Sequence, residues 1–264
     1  MRKGYVDTDF GQIHYYADGE AGPRLFLFHE GGLSAQFEKT LPYLARHCRA
    51  VAFDTPGNGM SDAPSAPLTM AEYAARFVAA IDFFGDEPCV LAGAHTGASF
   101  VLNLAANSLS ARTTHVVLTG IALLTDEEIA AFRSVIGKLP TIQRDGSHLL
   151  KRWQGNVQRF TRAGNTDLDM LHWAMVQGLL AHDRALSSFD AVFAQDVVGE
   201  LKKLACPVYF LVGEHDSLVE SDKKAAALVP GSKLYVLSGI GGRLPNGEPE
   251  LYAKEVLGFI GALS

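Results

Sequence analysis

An α/β fold with a mostly parallel eight-stranded sheet flanked by helices is the class this 264-residue sequence predicts, and three observations predict it. Strand-like and helix-like stretches alternate along most of the chain. Four strand-like stretches, Leu25–Phe28, Val51–Phe53, Val90–Ala92 and Tyr209–Val212, are near-continuous apolar runs, as expected of strands covered on both faces. Finally, Gly93-Ala94-His95-Thr96-Gly97 sets glycines two before and two after one residue, between an apolar run and a helix-like run. That is the spacing of a sharp strand-to-helix elbow, G-x-S-x-G, with histidine in the central position.

Strands are expected over Gly4–Thr8, Gln12–Ala17, Arg24–Phe28, Arg49–Phe53, Pro88–Ala92, His115–Thr119, Pro207–Val212 and Lys233–Leu237. The first two follow each other without a helix, which gives the sheet an antiparallel start. Helical patterns lie over Ala35–Ala45, Met70–Phe84, Gly97–Ala106, Ser221–Ala227 and Glu250–Ala262. Between about Thr125 and Leu204 the alternation stops. Helical patterns at Glu127–Ile136, His148–Arg159, Leu168–Leu180 and Ser187–Phe193 follow one another with no strand between. This stretch is too long for a loop. It is expected to be a helical cap, 125–204, inserted after the sixth strand, with 1–124 and 205–264 forming the core.

Composition narrows the function. The net charge of −6, with no basic run, argues against nucleic acid or an anionic membrane as partner. No apolar stretch approaches the roughly 18 residues of a membrane span. Met1-Arg2-Lys3-Gly4-Tyr5 leads straight into alternating polar and apolar residues, so no signal peptide is read and a cytoplasmic location is expected. Cys48, Cys89 and Cys206 are odd in number and far apart, which suits buried free thiols. The histidines lack metal-ligand spacing, and Gly57-Asn58-Gly59 is a turn rather than part of a phosphate or dinucleotide loop, so neither metal nor cofactor is expected. A helical surface and an exposed edge strand permit a homodimer without requiring one.

Four further segments complete a pattern. His29-Glu30-Gly31-Gly32-Leu33-Ser34 follows the third strand, and Asp54-Thr55-Pro56-Gly57-Asn58-Gly59-Met60-Ser61-Asp62 follows the fourth. Val212-Gly213-Glu214-His215-Asp216 and Gly239-Ile240-Gly241-Gly242-Arg243-Leu244-Pro245 come near the end. With the elbow, these make the chain resemble the α/β-hydrolase superfamily, of the capped single-domain type, over nearly its full length. The resemblance matches the family's His-Gly oxyanion loop, its D-x-P-G-x-G-x-S turn, its acid position and its G-x-G-H-x-x-P segment. It also exposes departures. Aligned without a gap, His95 stands where the family has the nucleophilic serine and Gly242 where it has the triad histidine, while Asp216 keeps its place. Glu30 replaces a glycine beside the oxyanion loop. The resemblance implies the fold and a backbone oxyanion hole, and not a Ser-His-Asp mechanism.

The elbow points His95 into the pocket, and Gly242 leaves room beside Asp216 for its ring. His95 is therefore read as a general base oriented by Asp216, which fixes the tautomer and stabilises the imidazolium. An inert residue in a decayed site is the competing reading. Asp216 would otherwise cap the helix near Ser221, and His215 is read as a turn residue. The amides of Thr96 and Gly31 are the expected oxyanion hole, since backbone donors survive the loss of serine. Thr96 as nucleophile is a poor alternative, because its hydroxyl starts the helix and points away. Glu30 is either solvated or a substrate-facing acid, and His29 holds its loop. In the cap, His148, Trp153, His172, Trp173 and His182 suit packing, with Asp145-Gly146 a turn. His148 and Trp153 are the ones expected to meet the substrate.

These residues suit an enzyme without cofactor acting on a small, largely apolar carbonyl-type molecule without an acyl-serine intermediate. Lyase, isomerase or decarboxylase chemistry fits the same groups. A non-catalytic ligand-binding protein is the rival from another class, and it expects His95 and Asp216 to lie apart.

Overall fold

In the computed structural model, which describes residues 1–136, 141–162, 168–180 and 187–263, β1 (Arg2–Thr8) and β2 (Gly11–Asp18) form an antiparallel hairpin. β2 then pairs antiparallel with β4 (Arg49–Phe53). From there the sheet is parallel: β4 beside β3 (Arg24–Phe28), then β5 (Cys89–Ala94), β6 (Thr113–Thr119), β7 (Val208–His215) and β8 (Lys233–Gly241). The strand order is β1-β2-β4-β3-β5-β6-β7-β8. The expected mostly parallel sheet with an antiparallel start is present.

The side-chain alternation of each strand divides the core into two layers. Phe26, Phe28, Phe53, Leu91 and Leu118 face one side, where α2 (Met70–Asp82) and α3 (Thr96–Ala106) cover them with Phe77, Phe100 and Val101. Leu25, Leu27, Ala52, Val90 and Leu211 face the other, beneath α1 (Leu41–Leu44) and α11 (Pro249–Phe259) through Leu41, Tyr252 and Val256. Both faces are dry, which is why these strands read as unbroken apolar runs. A capping box starts α2: Thr69 N–H donates to Glu72 Oε2 at 2.7 Å, and the Glu72 amide donates to Thr69 Oγ1 at 3.3 Å.

Several boundaries differ from the sequence reading. The helix expected over Ala35–Ala45 is a short 3-10 turn, Ser34–Phe37, followed by α1. Pro42 has no amide proton to donate back, so it starts a new helix rather than continuing one. β5, β7 and β8 also run further than expected, to Ala94, His215 and Gly241. Parallel pairing such as Ala94↔Thr119 and His215↔Gly241 overrides the turn character of their glycines.

Between β6 and β7 lie α4 (Asp126–Ile136), α5 (Ser147–Arg162), α6 (Leu168–Leu180), α7 (Ser187–Phe193) and α8 (Val197–Lys203), with no strand among the described residues there. Trp153 and Val157 of α5 pack on the buried Leu171 of α6. α7 and α8 pack on α3, where Asn103 Nδ2 donates to the half of Glu200 that faces it. Beyond α8, α9 (Val219–Ala227) follows β7 and α10 (Leu244–Gly247) follows β8. No helix among the described residues is long and apolar enough to cross a membrane.

Candidate active site

Five segments converge at the carboxyl ends of parallel strands, where sheets of this kind bind ligands. Glu30 follows β3, His95 follows β5, Gly120 follows β6, Asp216 follows β7, and Gly242 and Arg243 follow β8. His95 sits in the elbow at φ 52°, ψ −115°, a backbone conformation costing of order 1–3 kcal/mol. Its amide donates to Thr119 O at 2.7 Å, and its carbonyl accepts from Ala98 N at 2.9 Å. The flanking glycines follow from crowding. A side-chain carbon at Gly93 would strike the backbone of Gly97, and one at Gly97 would strike the carbonyl of Phe28.

The elbow turns the His95 ring toward the space beside Gly242. His95 Nε2 lies 2.9 Å from Asp216 Oδ2. A side-chain carbon at Gly242 would lie 3.3 Å from that same oxygen, so the imidazole occupies room that a residue at 242 would otherwise claim. Asp216 is fixed from the other side, since the Leu218 amide donates to its Oδ1 at 2.8 Å. Gly120 has φ 69°, and a side chain there would meet His95 Cδ2 at 2.8 Å, so glycine lets the ring lie against the β6 loop.

The other ring nitrogen also faces a carboxylate. His95 Nδ1 is 3.5 Å from Glu30 Oε2, and Glu30 Oε1 is 3.0 Å from a terminal nitrogen of Arg243. A second guanidinium nitrogen of Arg243 donates to Gln36 Oε1 at 3.3 Å, and Gln36 Nε2 donates to the Glu30 carbonyl at 2.6 Å. Arg243 has φ 61° and precedes α10, and its carbonyl accepts from Asn246 and Gly247 in the second half of that helix, both at 2.9 Å.

Beneath this row lies a supporting shell. Asp54 accepts from Ser34 N at 2.6 Å, Ser34 Oγ at 2.7 Å and Met60 N at 3.0 Å, so the D-x-P-G-x-G-x-S turn holds the loop that carries Glu30 and Gly31. Asp222 accepts from Gly120 N at 2.8 Å and Ile121 N at 2.7 Å. Burial raises its carboxyl to about 7, against the opposing pull of those two amides. Burial likewise pushes the thiols of Cys48 and Cys89 up to about 11, and all three cysteines are free.

His29 is buried, and burial lowers it from 6.5 to about 3. The unfolded chain therefore binds the extra proton between those values, and stability must fall as pH drops below about 6.5. From pH 7 to pH 5 this one group is expected to remove about 2 kcal/mol. Urea unfolding midpoints at the two pH values check this. His29→Gln should show a smaller difference between them than the wild-type chain.

Of the residues expected to form the site, the structure brings together His95, Asp216, Glu30 and Gly242. Thr96 opens α3, where the first amides have no acceptor within the helix. Gly31 lies in a 3-10 turn at φ 68°. His148 and Trp153 are not brought to His95 by any contact among the described residues. The ring of His148 is used locally, its Nδ1 accepting from Gln143 N at 3.1 Å, and it lines a surface groove with Ser147, Leu150 and Lys151. His172 is exposed, and His182 lies outside the described residues. Sequence reasoning missed Arg243, Gln36, Gly120 and Asp222. Only Arg243 had a usable signal, an unusual charge directly after the Gly241-Gly242 pair.

An elbow after β5, an acid after β7 and a glycine-bearing turn after β3 on this sheet are the scaffold of an enzyme of the hydrolase class. The alpha/beta hydrolase family matches residues 25–255, and the chain belongs to that family. It is similar to the bifunctional esterase/perhydrolase DCH of Acinetobacter calcoaceticus, with 28% identity over 280 aligned positions spanning 97% of this chain and 99% of the relative. It is also similar to a non-heme chloroperoxidase of Streptomyces lividans, with 27% identity and the same coverage of both chains. The enol-lactonase of Burkholderia xenovorans LB400 shares the fold at a TM-score of 0.80 and 20% identity, over 98% of this chain and 100% of that one.

Proposed function

We propose that this chain is an enzyme acting on a small, largely apolar carbonyl compound by proton transfer at His95, without an acyl-serine intermediate. Asp216 orients the imidazole, and the amides of Thr96 and Gly31 stabilise the negative charge that develops on the substrate oxygen. The observation that carries this reading is the 2.9 Å contact of His95 Nε2 with Asp216 Oδ2 at the elbow position. It preserves the base-and-orienter half of triad logic while dispensing with the hydroxyl. The rival reading expects these two side chains to lie apart, so the contact weighs against it. The names of the relatives, esterase and perhydrolase among them, suit an acyl-type carbonyl substrate. The helices α4 to α6 are read as the cap that would exclude water from this edge.

A panel of simple carbonyl compounds tests the reading. Ethyl acetoacetate, γ-butyrolactone and 2-pentanone are incubated with enzyme in D₂O and followed by NMR. Water attack appears as ring or ester opening, and proton removal beside the carbonyl as deuterium entering that carbon. Either activity should fall by about 10²–10⁴ in His95→Ala, and a fluorophosphonate probe should leave the wild-type enzyme unlabelled. Undiminished activity in His95→Ala, or stoichiometric labelling of a serine, overturns the proposal.

A further inference from the structure

We infer that Glu30 and His95 form one acid–base unit that holds a single transferable proton between Oε2 and Nδ1, with Arg243 as its positioning residue. This rests on His95 being the proton-transfer group proposed above. Asp216, His95, Glu30 and Arg243 stand in a row with successive contacts of 2.9, 3.5 and 3.0 Å. Their side chains are only 0, 16, 12 and 10% exposed, so water screens them little.

A proton count follows from the ring itself. Neutral imidazole offers one N–H and one lone pair. With Nε2 donating to Asp216, the Nδ1 lone pair would point at a Glu30 oxygen 3.5 Å away. Two electron-rich atoms facing each other in a nearly dry site repel unless a proton lies between them. The charges agree. With that proton in place, two carboxylates balance one imidazolium and one guanidinium. Without it, these four groups together carry a net negative charge, which burial penalises.

An imidazole binds a proton more tightly than a carboxylate does, and Arg243 widens the difference. Its guanidinium on Glu30 Oε1 favours the carboxylate, so the proton belongs to His95 in the resting site. Gln36 fixes both partners, through the Arg243 guanidinium and the Glu30 carbonyl. Among the described residues, the ionisable groups beside the ring include His29, held neutral by burial, and Asp222, whose carboxyl burial raises to about 7 while it accepts from the Gly120 and Ile121 amides.

The chemistry is pure proton transfer. The Nδ1–H bond breaks, its electron pair stays on nitrogen, and the proton goes to a substrate oxygen. Glu30 takes the proton of a C–H or of water, whose bond electrons pass to the substrate. Transfer from Oε2 back to Nδ1 then resets the unit without solvent. The base seen kinetically is the pair, not the ring alone.

The test is ¹⁵N NMR of histidine-labelled full-length enzyme, with His95→Gln used to assign the His95 signals. The expected spectrum at pH 7 is that of an imidazolium. Glu30→Gln removes negative charge and should move the midpoint of its deprotonation down by about one pH unit or more. Arg243→Gln removes positive charge and should move it up, and Arg243→Lys should restore it. A merely structural arginine would not produce opposite signs. A neutral His95 ring at pH 7 in the wild-type protein, or midpoints that stay in place in Glu30→Gln, would overturn the inference, even if Arg243→Gln fails to fold. The spectra are read without turnover. An imidazolium in an inert protein would sink the catalytic reading and spare the unit, whereas a neutral ring in an active enzyme would do the reverse.

Discussion

Replacing His95 with alanine is expected to lower kcat/KM on the compound the enzyme turns over by about 10²–10⁴, the range a positioned general acid–base contributes. The loss should fall mainly on kcat, because the ring acts on the proton that moves in the transition state rather than on the rest of the molecule. Asp216→Asn should cost no more than this. The amide keeps the size of the carboxylate, but it can offer Nε2 a donor instead of an acceptor, which selects the wrong tautomer. The two residues touch, so their effects should not add: His95→Ala with Asp216→Asn should be no slower than His95→Ala alone. Steady-state rates of the four proteins make the comparison. Additive losses would mean that Asp216 works independently of the ring, for instance through the Leu218 amide that it accepts from.

What the sequence revealed and what it hid have physical reasons. The strands buried on both faces were readable because every position in them must be apolar, as in Leu25-Phe26-Leu27-Phe28. The elbow was readable because its glycines answer to backbone collisions that no other residue avoids. The pairing of His95 with Asp216 followed from the empty place at Gly242, since a side chain long enough to fill it lay opposite. The Glu30–Arg243 contact could not be read the same way. It depends on the positive φ of Arg243 and on where β8 ends, and the pairing of β7 with β8 carries that end further than the glycines suggested. Gly120 and Asp222 were hidden for a related reason. A glycine that makes room for a ring, and an acid that ties down two amides, have no local pattern; the ring belongs to His95 on another loop, and the amides lie about a hundred positions from Asp222.

Restoring the family's arrangement is the second large effect. His95→Ser combined with Gly242→His is expected to create hydrolysis of p-nitrophenyl acetate about 10²-fold or more above either single variant, together with stoichiometric fluorophosphonate labelling. The geometry supplies most of what the new triad needs. Gly242 does not have positive φ, so it can carry a side chain, and a carbon added there points 3.3 Å from Asp216 Oδ2. Removing the His95 ring frees the volume a ring from position 242 would enter. The strained elbow backbone is held by the Thr119 carbonyl and by crowding at Gly93 and Gly97, so a serine there should be presented as the histidine was. The amides of Thr96 and Gly31 are untouched. Neither single variant should match the double one, because a serine without a base and a base without a serine each lack half of the unit. Glu30 is the remaining obstacle: its carboxylate faces position 95, where the family has glycine beside the oxyanion loop, so adding Glu30→Gly should raise the rate further. A folded double variant with neither labelling nor esterase activity, even after Glu30→Gly, would show that position 242 does not correspond to the base of a working triad, and would return the site to His95 and its two carboxylates alone.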